Sequence, residues 1–124
     1  MDIIAWVLQV LLAVLFGMAG LMKATQPKEK LATNLVWVED FSAGQVKIIG
    51  ILEVLAAIGL IVPAVTKILP QLTGWAAVGL VLTMIGAMIV HYRRGEMVGI
   101  GMNAVLLIMA AVVAYIRLVA LPIV

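Results

Sequence analysis

Gly50-Ile51-Leu52-Glu53-Val54-Leu55-Ala56-Ala57-Ile58-Gly59-Leu60-Ile61-Val62-Pro63 decides how this chain is read. The stretch is apolar enough to cross a membrane, and it carries one carboxylate. An ionisable group at membrane depth costs roughly 2.5–3.5 kcal/mol on insertion scales, so Glu53 needs a partner or a proton. The other polar residues are therefore read by asking which of them can reach it.

The 124 residues are 66% hydrophobic and 11% charged, where soluble domains are about a quarter charged. That balance predicts a single all-α integral membrane domain over residues 1–124, with no spare sequence for a second folded unit. The net charge of +2 is small, and the basic residues sit at the ends of apolar runs. They read as topology signals, and no nucleic-acid partner is expected. The chain has no cysteine, which excludes disulfides and thiol or iron–sulfur chemistry of its own. One histidine cannot supply both axial ligands of a haem, no zinc spacing occurs, and the methionines lack ligand spacing. No metal and no resident cofactor are expected.

Working outward, Pro63 is expected to end the second span, Val46 to Val62. The first span is Ile3 to Met22, of the right length for a hydrocarbon core of ~30 Å. Met1-Asp2 leads straight into it, which predicts an uncleaved span and not a secretory signal. Small residues, Gly17-Met18-Ala19-Gly20, precede Lys23 and allow close helix approach. The long connection, residues 24–45, holds a short amphipathic stretch around Leu31, Leu35, Val36, Trp37 and Val38. It is too short to span and predicts an interfacial helix with Trp37 at headgroup level. A tight hairpin at Lys67 and Pro70 leads to the third span, Leu72 to Val90. There Gly79 and Gly86 predict a close-packed interface. The fourth span runs from Met97 to Tyr115, with Arg117 beyond it, and Pro122 breaks any further helix. Four spans with short connections predict an antiparallel bundle.

Lys23, Lys28, Lys30, Lys47, Arg93 and Arg94 fall on one side of the membrane, Lys67 and Arg117 on the other. The positive-inside rule places the first side in the cytoplasm and both termini outside; a bacterial cytoplasmic membrane is expected. Glu53 lies seven residues beyond Val46, roughly 10 Å along the helix. Asn103 lies at similar depth in the fourth span, and Lys23 and His91 close the same ends of the first and third. Each span thus offers one polar side chain to the cytoplasmic half. Glu53, Lys23, His91 and Asn103 form the candidate ligand-binding set. A carboxylate between Lys23 and His91 would stay ionised or exchange a proton, and in either state it can hydrogen-bond a lipid-soluble ligand. Each residue also has a purely structural reading: Lys23–Glu53 as an ion pair that fixes register, His91 as an interfacial side chain, Asn103 as a helix–helix hydrogen bond. Gln9 and Thr83 read as packing polars, and Arg93 and Arg94 as topology determinants that meet lipid headgroups.

Three pieces in order resemble the DoxX-like family of small four-helix membrane proteins. They are Phe16-Gly17-Met18-Ala19-Gly20-Leu21-Met22-Lys23, then Gly50-Ile51-Leu52-Glu53 with Gly59-Leu60 and Pro63, then Gly86-Ala87 with His91-Tyr92-Arg93-Arg94-Gly95-Glu96. The resemblance maps the family's Lys, Glu and His onto Lys23, Glu53 and His91. It implies a membrane subunit of, or accessory to, an oxidoreductase, with quinone as the ligand and an oxidoreductase subunit as partner. A homo-oligomer in the lipid bilayer is expected. Two alternatives come from other classes. One is a proton-coupled small-molecule transporter, although small multidrug transporters carry their carboxylate in the first span. The other is an assembly or structural factor, in which the polar set only holds the bundle together.

Overall fold

A computed structural model describes residues 1–33 and 35–123. Four helices are long and apolar enough to cross a membrane. They are α1 (Asp2–Thr25), α3 (Ala43–Thr66), α4 (Leu72–Arg93) and α5 (Met97–Tyr115), the last prolonged by a π-helical turn, Ile116–Ala120. Between α1 and α3 lie the short α2 (Lys28–Leu31) and a 3-10 helix, Val36–Asp40. The expected single interfacial helix is thus two short pieces.

The spans form an antiparallel ring in the order α1, α3, α4, α5, with α1 against α3 and α4 against α5 as the extensive pairs. The core between them is Leu12 and Phe16 of α1, Leu60 of α3, Leu80 and Met84 of α4, and Val113 of α5. The outward faces carry exposed apolar residues such as Val14, Leu52, Leu82 and Ile108. In hydrocarbon such faces cost nothing, and no hydrophobic force drives helices together, so close backbone packing has to hold the bundle. Gly20 and Gly50 supply it. A Cβ on Gly20 would lie 2.6 Å from the Gly50 carbonyl oxygen, and one on Gly50 2.6 Å from the Gly20 oxygen. Gly79 and Gly86 do not: a Cβ on either meets nothing within 4 Å. The close interface expected at those two glycines is not made among the described residues, because they lie on the open face of α4.

The helix ends also differ from the sequence reading. Ser42 and Gln45 form a reciprocal capping box: Ser42 Oγ accepts from the Gln45 amide at 3.1 Å, and Gln45 Oε1 accepts from the Ser42 amide at 2.9 Å. Two orphan donors are satisfied, so α3 starts at Ala43 and not at Val46. Nor does Pro63 end the helix. It lies inside α3, which runs on to Lys67 in the left-handed conformation. Proline has no N–H, so the Gly59 carbonyl four residues back loses its helical donor. Thr73 Oγ1 of α4 donates to that oxygen at 3.1 Å, and Gln9 Nε2 of α1 donates to the neighbouring Leu60 oxygen at 2.8 Å. Side chains of the two flanking helices thus complete the backbone that a proline interrupts.

Candidate functional site: a cavity beside the Lys23–Glu53 ion pair

Gly20 and Gly50 sit one turn before Lys23 and Glu53, and their contact brings α1 and α3 close at that level. Lys23 Nζ donates to Glu53 Oε1 at 2.6 Å, with the side chains 11% and 4% exposed. The buried carboxylate has its partner. The ammonium also lies 5.6 Å from the centre of the Trp37 ring, within cation–π range.

A cavity of about 730 Å³ opens beside this pair, a size in the range of small-molecule sites. Lys23, Glu53, His91 and Asn103 all lie on its wall, one from each spanning helix. The rest is mainly apolar, including Phe16, Met84 and Leu106. Leu15 of α1 and Met102 and Val105 of α5 line it too, and all three are exposed on the outer surface. The cavity therefore reaches the bundle's exterior between α1 and α5, two helices that meet less closely than α1 and α3.

The strap between α1 and α3 closes the cavity on its loop side, with Leu35, Val36 and Trp37 on the wall. Leu31, Val38 and Val46 form a small core under the strap, and Trp37 meets Phe41 edge to face at 5.6 Å. Arg94, in the turn between α4 and α5, reaches across to Asp40 at 2.8 Å and latches the strap to the far side of the bundle.

His91 is not a partner of Glu53. Its Nδ1 lies 2.9 Å from Glu96 Oε1, five residues on. Arg94 Nε stands 3.3 Å from the other Glu96 oxygen. The hydrogen bond from His91, with Arg94 adding to it, holds the Glu96 carboxyl below its ordinary range. Hydrogen bonding to Asp40, helped by Glu96, raises the Arg94 guanidinium still further. Gly99 makes room for the imidazole: a Cβ there would stand 2.6 Å from His91 Nδ1. Asn103 Nδ2 is buried at the wall and has no hydrogen-bond partner among the described residues. A neutral donor is thus left unpaired in a residue of the cavity lining, and a small turn of the side chain would bring it to a carbonyl or hydroxyl oxygen.

The sequence profile of the DoxX-like family matches residues 7–113, a range that includes the ion pair and the whole cavity lining. The chain belongs to the DoxX-like family. No curated protein and no solved structure compared with this DoxX-like protein matches it.

The DoxX-like bundle holds a second buried polar set at its other end, which the sequence reading missed. Arg117 is 2% exposed. Its Nε donates to Gln9 Oε1 at 2.7 Å, its Nη1 to the Leu121 carbonyl oxygen at 3.3 Å, and its Nη2 pairs with Asp2 Oδ1 at 2.9 Å without hydrogen-bond geometry. The guanidinium also lies 5.7 Å from the centre of the Trp6 ring. Gln9 thus joins a network and is more than a packing polar. Thr83 behaves as expected, returning its hydroxyl to the Gly79 carbonyl of its own helix at 2.8 Å. Arg117 read as a topology charge because it follows the apolar run of the fourth span. The π-helical turn turns it inward.

Proposed function

We propose that this DoxX-like protein binds a quinone in the cavity beside Lys23 and Glu53, and acts within or beside a membrane oxidoreductase. One observation carries the reading. An apolar cavity open to the bundle's exterior between α1 and α5 holds a buried ion pair and an unpartnered Asn103 donor at its wall. A lipophilic ring can enter such a cavity from the bilayer, and a few placed polar groups fix its orientation. Asn103 and Lys23 donate to a ring oxygen, Glu53 holds Lys23 in place, and His91 exchanges protons with the side bearing Arg94 and Glu96. That side faces the cytoplasm of a bacterial cell in this reading, with both termini outside. Self-association belongs to the same proposal, with the open Gly79 and Gly86 face of α4 as its contact.

Extraction of purified protein and mass spectrometry of the extract test the reading. Wild type is expected to carry quinone above its level in bulk lipid, and a folded Glu53→Gln variant to lose it. No enrichment in wild type sinks the quinone reading. Enrichment unchanged in Glu53→Gln moves the ligand away from this cavity.

A further inference from the structure

The His91 ring is held by one edge. Its Nδ1 meets Glu96 at 2.9 Å, and Gly99 lies against Nδ1, Cγ and Cε1. The opposite edge, with Nε2, has no hydrogen-bond partner among the described residues, and His91 lies on the cavity wall. An ionised carboxylate only accepts hydrogen bonds, so Glu96 puts the imidazole proton on Nδ1. The neutral ring then carries a bare lone pair on Nε2. Arg94 beside Glu96 keeps that carboxylate ionised. The other charged groups that face this region are Lys23 from α1 and Glu53 from α3, which neutralise each other, and Asp40 of the 3-10 helix behind Arg94.

The wall therefore offers donors on α1 and α5, the Glu53 carboxylate on α3 already bound by Lys23, and an acceptor without a partner on α4. A quinone has only acceptor oxygens and leaves His91 Nε2 unpaired. A ring hydroxyl satisfies Nε2, and the same oxygen still accepts from a donor. A bound ring that covers Nε2 shuts out water, so the site discriminates against the analogue that leaves this acceptor unpaired.

We propose that the cavity selects the hydroxyl-bearing form of its ligand, a hydroquinone, with His91 Nε2 accepting the ring hydroxyl and Glu96 fixing the tautomer. The inference rests on the cavity being a quinone site. His91 is the only histidine in the chain, so nitrogen NMR of histidine-labelled protein in lipid nanodiscs reads this ring alone. The neutral ring is expected to carry its proton on Nδ1; a proton on Nε2 overturns the proposal whatever the cavity binds. Titration with a short-chain benzoquinone and with its hydroquinone, kept reduced without air, gives the second readout. One added hydrogen bond predicts roughly fivefold tighter binding of the hydroquinone. His91→Phe is expected to bring the two affinities together. Glu96→Gln, whose amide can donate to Nδ1, is expected to move the proton to Nε2 and erase the ratio with the fold intact, and it serves should His91→Phe not fold. Equal affinities in wild type overturn the hydroquinone preference alone. Failure of both probes to bind removes the quinone site itself.

Discussion

Two polar sets lie at the two ends of one bundle, and they are finished differently. At the Arg117 end, Arg117 bonds to Gln9 and pairs with Asp2 without hydrogen-bond geometry at Nη2, Gln9 and Thr73 donate to the Leu60 and Gly59 carbonyls, and Gln9 and Thr73 are fully buried. At the Lys23 end, the ion pair closes on itself, while Asn103 Nδ2 and one edge of His91 have no hydrogen-bond partner among the described residues, and both residues line a cavity of about 730 Å³. Polar groups that stabilise a fold are used up by each other. Polar groups kept for a ligand leave donors and acceptors unspent in a space where a ligand fits.

The sharpest way to break this contrast is Arg117→Met. It leaves the buried Gln9 Oε1 without its donor and the exposed Asp2 without its cation, and an unsatisfied buried polar group costs about 1–3 kcal/mol. Thermal unfolding in detergent should show that loss, while quinone content per folded protein stays at the wild-type level. A drop in ligand at full stability would mean that the two ends are not separate in role. Gly50→Leu comes next. It forces side-chain atoms onto the Gly20 oxygen and the Ala24 amide nitrogen, and overpacking of this kind costs about 1–3 kcal/mol. Because it spreads α1 from α3 beside the ion pair, ligand and stability should fall together.

Lys23→Met should cost less, about 1–2 kcal/mol, because the buried carboxylate left behind can take up a proton and become neutral. Lys23→Met with Glu53→Leu should recover most of that stability and none of the ligand. Recovery of both would make the pair structural only. The smallest effect is the response of the strap latch to acid. The Glu96 carboxyl is held below its ordinary value of 4.5. Its contribution is therefore complete above that value and is lost as pH falls through the lower folded-state value. Emission of Trp37, read in a Trp6→Phe, Trp75→Phe background, should shift to the red only in that acidic window. Glu96→Gln should remove the pH dependence.

Much of this architecture was legible in the sequence, because hydropathy fixes spans and short connections fix their direction. Lys23, Glu53, His91 and Asn103 could be placed on one wall by counting depth alone. What counting could not give was the partner of each group. His91 turns to Glu96 because a tight turn after α4 brings residue 96 back under the ring, with Gly95 at φ +73°. Gly79 and Gly86 share the small-residue signature of Gly20 and Gly50, yet only the latter pair faces another helix, and composition does not encode that rotation. Arg117 was hidden for a similar reason. An α-helix would set it elsewhere on the cylinder, and the wider π-helical turn sets its angle. The capping box at Ser42 and Gln45 was written in the chain, but the apolar pattern starts later and drew the boundary to Val46.

Pro63 bears on how the protein enters its membrane. A lone α3 in hydrocarbon would carry the Gly59 carbonyl with no donor, and an unsatisfied backbone group there costs several kcal/mol. Its donor, Thr73, arrives with the next helix, just past the turn at Lys67 and Leu69. Biogenesis then favours release of α3 and α4 into lipid as one hairpin, with α1 already waiting to receive it.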